Sequence, residues 1–419
     1  LLLLKSILLE VYYLMISDLV VIGGGASGFM GAIEAASNGM GSVVILESTS
    51  KVLEKVRISG GGRCNLTNSC WEISNLVNNY PRGEKQLIGL FNRFSTIETF
   101  NWFREKGLNL KVENDGRVFP VSDSSDDVIN CLKGVAQKSG VKVVTNSHVK
   151  QIFKTNEGFD ILVKGSNLFK SKNILICTGG HPSGRRLAKD LGHSIIKPVP
   201  SLFSFSTSGN QLKSCAGISL DVQIKLIVCK KKYTETGSIL ITHKGFSGPV
   251  ILRLSAFSAR YLHANNYIGE LIINWLCLSE HEVRSKIDSY KLENGKKLIF
   301  NNKPFNYLPK RLWKALLLSL DVKNQLKWAD LSKHEKESLV KSLTMKSYSI
   351  ISRGPFGDEF VTAGGVSLKE INFKTMESKI CKGLFFAGEV LDIDGITGGF
   401  NFQHCWTSGW VAGNSVVSK

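Results

Sequence analysis

Val20-Val21-Ile22-Gly23-Gly24-Gly25-Ala26-Ser27-Gly28 is an apolar run that ends in Gly23-x-Gly25-x-x-Gly28 and passes straight into a helical pattern. A second apolar run closes on Ile45-Leu46-Glu47, with Glu47 nineteen residues past Gly28. Strand, glycine turn, helix, strand and terminal acid follow in the order of a dinucleotide-binding βαβ unit. Gly23 permits the tight turn, Gly25 lets the backbone approach a pyrophosphate, and Gly28 lets helix and strand pack closely. With Ala26 and Ser27 they form the candidate phosphate-binding set, because the first helical N–H groups and the helix dipole attract anions. Glu47 is the candidate acceptor for a ribose hydroxyl.

At 419 residues the chain is long enough for two or three domains and a sizeable core. Hydrophobic content of 43% and charged content of 21% fit a globular enzyme and speak against collagen, a disulfide scaffold or bulk disorder. The net charge is +18, and between His281 and Lys346 Lys and Arg number 15 against 7 for Asp and Glu. Such a surplus favours anionic partners in general. The plain reading is a solvated lysine-rich surface; an RNA-contacting face is the other. The nine cysteines are scattered and form no CxxC or metal-ligand spacing, which points to reduced thiols, a cytoplasmic setting and no metal.

Leu1 to Leu14 is broken by Lys5, Ser6 and Glu10 and is too short to cross a membrane. It lacks the basic start and small-residue cleavage site of a signal peptide. We read residues 1–14 as an upstream extension and Met15 as the natural start. The dinucleotide domain is expected over residues 15–194. From about Ile195 the texture changes to strand-like runs, such as Ile218–Val228, Ser238–Thr242 and Glu270–Asn274. Basic helical patterns follow over Glu280–Leu292, Pro309–Leu320 and Ser332–Ser342. Pro309 suits a first helical turn, and Ser332-x-x-Glu335 reads as a capping box. Residues 195–350 therefore read as an inserted β-rich domain carrying helices. The α/β texture returns near Gly357, so residues 351–419 complete the first domain. No feature specifies an oligomeric state.

Three further segments carry chemistry. Arg57-Ile58-Ser59-Gly60-Gly61-Gly62-Arg63-Cys64-Asn65 places three glycines in a row, where backbone can press on a flat ring or a phosphate. Arg63 could hold an anion, Asn65 could meet a ring edge, and Cys64 belongs to the loop wall. Gly388-Glu389, Asp392, Asp394 and Gly398-Gly399-Phe400-Asn401 form an acid-bearing strand end followed by a glycine pair that opens a helix. Against a flavin, that helix start would face the pyrimidine end and stabilise the anionic reduced ring, while Glu389 would suit a ribityl hydroxyl. Thr178-Gly179-Gly180 ends an apolar strand and would pass near a pyrophosphate.

Together these stretches resemble the bacterial HI0933-like, or BaiN-like, FAD-binding oxidoreductases, sometimes labelled the aminoacetone oxidase family. The resemblance is carried by Ile22–Gly28, Arg57–Asn68 (RISGGGRCNLTN), Thr242–Leu252, Val361–Val366, Thr375–Lys379 and Gly383–Gly413. It implies a Rossmann-like α/β domain that binds FAD, with an inserted β-rich domain carrying a helical part. It also implies a backbone contact to adenine near Val149, which the residues alone do not suggest. One departure stands out. The family has a longer glycine-rich segment after the TGG turn, whereas here Gly180 leads directly through Arg185-Arg186 to Leu191-Gly192-His193.

The expected reaction is hydride transfer to or from the flavin on a small organic substrate. Reduction of a C=C bond beside a carbonyl, with NAD(P)H as candidate donor, is one activity the resemblance implies; amine oxidation is an older label. The sequence assigns no catalytic residue. Three rivals remain open: a flavin-dependent RNA-modifying enzyme using the basic insert, a non-enzymatic flavin protein, and a disulfide reductase built on Cys64 and Cys70. Five residues separate those cysteines where the disulfide reductases have four, and there is no second GxGxxG. His181, His243 and His404 lie in or beside the resembling segments and read as structural.

Overall fold

A computed structural model describes residues 16–165, 167–209, 212–354 and 361–417. The reading of residues 1–14, Met15 as the start and the return near Gly357 lie outside the described residues. The chain forms two compact units, one running to Pro198 and resuming at Thr362, the other spanning Val199–Val361.

The first unit opens with β1 (Ile16–Ile22), α1 (Ala26–Ser37) and β2 (Val43–Leu46). The short α2 (Glu54–Ile58), β3 (Thr67–Asn68), α3 (Ile73–Val77), α4 (Glu84–Phe91) and α5 (Thr96–Glu105) follow. A hairpin forms from β4 (Leu110–Val112) and β5 (Arg117–Pro120), with β3 added on the other side of β5. Then come α6 (Ser125–Lys138), β6 (Lys142–Val144), β7 (Val149–Lys154), β8 (Phe159–Val163), β9 (Leu168–Ile176) and α7 (Pro182–Asp190). The chain leaves along β10 (Ile195–Ser201).

The second unit is a closed barrel with helices. Its first strands are β11 (Phe205–Thr207), β12 (Ser219–Val228), β13 (Lys231–Ile241) and β14 (Gly245–Ser247). After α8 (Pro249–Ala264) come β15 (Gly269–Asn274), then α9 (Glu280–Asn294), α10 (Lys310–Leu318) and α11 (Lys333–Thr344), and last β16 (Lys346–Arg353). The strands close in the order β11-β14-β13-β12-β15-β16. Along β12 the residues alternate, and Val222, Ile224, Leu226 and Val228 face the core while their neighbours are more exposed. The predicted capping box forms between Ser332 and Glu335, whereas Pro309 stands at the N-cap of α10, one residue before its first turn. Trp313 and Trp328 stack at 6.3 Å under the helices, each indole N–H satisfied by a backbone carbonyl.

The chain returns along β17 (Val361–Val366), which pairs with β10, and adds β18 (Ile371–Asn372), β19 (Glu377–Ser378) and β20 (Leu384–Phe386). The main sheet runs β18-β19-β20-β9-β1-β2-β6, and its central pairs β20/β9, β9/β1, β1/β2 and β2/β6 are parallel. Leu19, Val20 and Val21 of β1 are fully buried, as a parallel strand covered on both faces requires. The last helix, α12 (Phe400–Val417), crosses α1 through glycines. A Cβ at Gly409 would stand 2.5 Å from the Ser27 carbonyl oxygen, and one at Gly413 2.4 Å from that of Gly31. Those missing side chains let the C-terminal segment reach the first glycine turn.

Candidate cofactor site

Gly23, with φ of +109°, turns the chain off β1 so closely that a Cβ there would sit 2.5 Å from the Cys177 carbonyl oxygen. A Cβ at Gly28 would meet the Gly23 carbonyl oxygen at 2.0 Å. These two glycines are demanded by packing. A Cβ on Gly25 would meet nothing within 4 Å, and Gly25 caps α1 with no side-chain hydrogen bond. The open backbone at Gly25 therefore stands at the start of a twelve-residue helix with no acidic residue in its first turn. Glu47 is fixed beside it. One carboxylate oxygen accepts from Gly24 N–H at 2.9 Å, and the other from Thr49 N–H, Thr49 O–H and Ser48 O–H. The first oxygen keeps capacity for a further donor.

The second glycine turn is built differently. Gly60, Gly61 and Gly62 have φ of +57°, +69° and +86°, and Cys64 follows at +62°. A Cβ at Gly60 would crowd Asn65 N at 2.8 Å, but at Gly61 or Gly62 it would meet no atom within 4 Å. The turn is braced from behind. Arg63 lies 4.0 Å from the Phe119 ring centroid and bonds Glu113 at 2.7 Å and Asp123 at 3.3 Å. Its guanidinium is thus engaged by two carboxylates, and its main role here is to clamp the loop to the β4–β5 hairpin. In the amide orientation that satisfies both neighbours, Asn65 donates its amide N–H to the Thr67 carbonyl at 3.1 Å and accepts from Gly399 N–H at 3.0 Å. Cys64 is fully buried, and burial pushes its thiol up to about 12, so it stays protonated at neutral pH. All nine cysteines are unbridged.

The C-terminal segment arrives through Gly388, whose Cβ would lie 2.5 Å from Ser27 Oγ, while its N–H donates to Ser408 at 2.9 Å. Glu389 accepts from Lys55 Nζ at 2.7 Å. Asp392 is buried, and Asp394 forms a buried ion pair with Arg82. Gly398 is held by Asn68, whose amide donates to its carbonyl at 2.9 Å. Gly399 packs on Thr67, with 2.3 Å from its missing Cβ to that carbonyl oxygen. Phe400 is buried, and its carbonyl accepts from Tyr80 O–H at 2.7 Å. The Asn401 amide bonds Gly395 through both of its ends, at 2.8 and 2.9 Å, so its side chain braces the preceding loop.

Thr178 and Gly179 form the turn after β9. The buried Thr178 hydroxyl has no partner among the described residues, and a Cβ at Gly184 would stand 1.8 Å from it. The segment after this turn is short yet regular: His181 caps α7 by accepting from Ser183 N–H. Val149 is buried at the start of β7, opposite Val163. His404 is fully buried, with Nε2 3.3 Å from the Gly388 carbonyl oxygen; desolvation lowers its pKa to about 4, so it is neutral.

The three glycine-bearing turns and the Glu389 segment are thus connected by direct contacts. Sequence reading did not single out the residues that join them: Gln403, Trp406, Asn68, Tyr80 and Arg82. Gln403 bonds Thr67, Thr99 and Thr407, and Trp406 donates to the Leu66 carbonyl at 2.9 Å. Their one sequence signal is their place inside or near motif-dense segments. The residues present fit FAD: a bare helix start for phosphates, a fixed acid beyond β2, and a second turn whose glycine backbone presents no side chain.

The family model for the HI0933-like protein Rossmann domain matches residues 17–415. The chain is similar to the 3-dehydro-bile acid delta(4,6)-reductase of Clostridium scindens, at 28% identity over 95% of this chain and 98% of the relative. It is likewise similar to the ribosomal RNA dihydrouridine synthase of Haemophilus influenzae, at 28% identity over 96% of this chain and 98% of the relative. Among solved structures, a flavocytochrome c3 fumarate reductase in its open conformation has a TM-score of 0.52 at 17% identity, covering 97% of this chain and 78% of that one. That last likeness shows the fold alone.

Proposed function

The chain belongs to the HI0933-like family of FAD-dependent oxidoreductases, and on that premise we propose that it reduces a C=C bond conjugated to a carbonyl group, with NAD(P)H as electron donor. The observation that carries this reading is the open backbone of Gly61 and Gly62, held in register with Gly399 through Asn65. A flat ring can lie against such a surface without meeting a side chain. Bound FAD would supply the hydride. The chain's own residues would hold and orient it. The start of α1 favours the phosphates, Glu47 and Glu389 favour hydroxyls, and the α12 start favours negative charge.

Both relatives' names support the chemistry. Saturating a dienone and converting uridine to dihydrouridine each add a hydride and a proton across a C=C bond beside a carbonyl. We take a small unsaturated carbonyl compound as the substrate. A second reading, a uridine base within RNA, is favoured by the net charge of +18 and the basic surplus over residues 281–346.

Anaerobic absorption spectroscopy tests the proposal. The expected protein binds FAD, is bleached by NADH or NADPH, and recovers its colour on adding a conjugated enone. An FAD-loaded protein that no nicotinamide reduces would exclude the donor; a reduced one that no enone reoxidises would exclude the small substrate. Reoxidation by unmodified ribosomal RNA, with dihydrouridine formed, would select the second reading. Failure to bind FAD would sink both.

A further inference from the structure

Lys55 is a cation at the glycine turns to which the motif reading assigns no role. It stands on α2, and that helix is docked on the phosphate-binding turn itself. Leu53 N–H donates to the Gly24 carbonyl at 2.9 Å, and Val52 Cγ1 lies 2.9 Å from where a Gly24 Cβ would be. From there the side chain crosses to the opposite turn. A Cβ at Gly179 would be 3.7 Å from Lys55 Nζ and 3.5 Å from Glu389 Oε2. Gly179 follows Thr178, whose Cα lies 3.1 Å from the Cβ position of Gly23. Lys55 Nζ therefore stands beside the two backbone turns that flank the bare start of α1.

Its present partner does not exhaust it. An ammonium group has three protons, and among the described residues its hydrogen bond goes to Glu389 alone. The Lys55 side chain is 65% exposed and that of Glu389 14%. An ion pair with one partner so exposed contributes little stability, so sharing the lysine with a second anion costs little. The attraction of Glu389 raises the lysine pKa, which keeps the group charged.

We infer that Lys55 is a direct ligand of the cofactor's pyrophosphate, sharing its ammonium group between a phosphate oxygen and Glu389. This assignment rests on the FAD reading above. It gives the site one mobile full charge where the helix start supplies only partial ones. It also orients Glu389, whose second oxygen remains available for a hydroxyl.

FAD titrations of the purified full chain at several salt concentrations test the assignment. Five proteins are compared: wild type, Lys55→Met, Lys55→Arg, Glu389→Gln and the Lys55→Met/Glu389→Gln double variant. Losing a charge-assisted contact is expected to weaken FAD binding by about tenfold or more. It is also expected to flatten the salt dependence, because a screened charge has been removed. The same loss is expected when Lys55→Met is made on the Glu389→Gln background, and Lys55→Arg is expected to restore most of the affinity. If Lys55→Met has no effect on that background, the lysine only neutralises Glu389 and the assignment falls. It falls too if the affinity drops with an unchanged salt slope. A wild type that binds no FAD overturns the cofactor reading together with this one, whereas the other two results overturn this one alone.

Discussion

The two glycine turns of the first unit carry similar sequences for opposite physical reasons. In Gly23–Gly28 the outer glycines are pressed against backbone: 2.5 Å from a Gly23 Cβ to Cys177 O, and 2.0 Å from a Gly28 Cβ to Gly23 O. In Gly60–Gly62 the last two touch nothing within 4 Å and differ from other residues only in their positive φ. The first turn needs glycine in order to fold. Gly61 and Gly62 have room for side chains and yet carry none, as the proposed ring contact requires. Only Gly25 in the first turn shares that openness. Substitution in the two turns should therefore separate stability from binding.

The largest effect is expected at Gly28→Ala. The added methyl meets a backbone carbonyl, and the turn cannot open without pulling α1 from β1. We expect a loss of about 4 kcal/mol, near the extreme for a point substitution. Urea unfolding monitored by circular dichroism would measure it. A midpoint matching wild type would mean that the first turn tolerates side chains as the second does, and the contrast would collapse.

Next in size is the acid response of His404, which tests whether the packed side of the first turn is dry. His404 sits against the Gly388 carbonyl, and Gly388 packs on Ser27 of that turn. Burial lowers the imidazole pKa from an ordinary 6.5 to about 4. The unfolded chain therefore binds a proton at a pH where the folded one does not. This stabilising contribution is full above pH 6.5 and is lost as pH falls toward 4, amounting to about 3 kcal/mol. His404→Asn should remove that part of the acid dependence, so the stability gap between the two proteins should change by about that amount between pH 7 and pH 4. An unchanging gap would show that water reaches the ring and that this side is not closed.

The contrast also explains what the sequence made legible. The βαβ unit, the SGGGRCN turn and the GEVLDIDGITGGFN segment stand out because backbone approach demands particular residue types at contiguous positions. Long-range partners leave no such mark. Arg82 and Asp394 meet across more than three hundred residues, and Arg63, which reads as an anion holder, is engaged by Glu113 and Asp123. The helix crossing at Gly31, Gly409 and Gly413 depends on two helices at opposite ends of the chain. In the second unit, β13 begins at Lys231, well before the expected Ser238, because Lys231–Thr236 is polar and lacks a buried face. The hairpin that precedes it turns on Cys229-Lys230, both with positive φ, where a glycine or asparagine would have announced it. Barrel closure between β11 and β16 is likewise a pairing of distant segments.

The smallest stability effect and the sharpest test of the second turn come from Gly61→Ala. Its φ of 69° and ψ of 33° fall in the small left-handed region open to other residues. With no neighbour to strike, alanine should cost only about 1 kcal/mol of conformational strain. The same methyl would project from the face we assign to the ring, so FAD affinity should fall by about tenfold, equivalent to about 1.4 kcal/mol. Gly61→Val should deepen the binding loss more than the stability loss. Isothermal titration with FAD beside urea unfolding gives both numbers on one protein. If both variants bind FAD as tightly as wild type, the open face of Gly61 is not where the cofactor rests, and the glycines of the second turn serve only its backbone conformation.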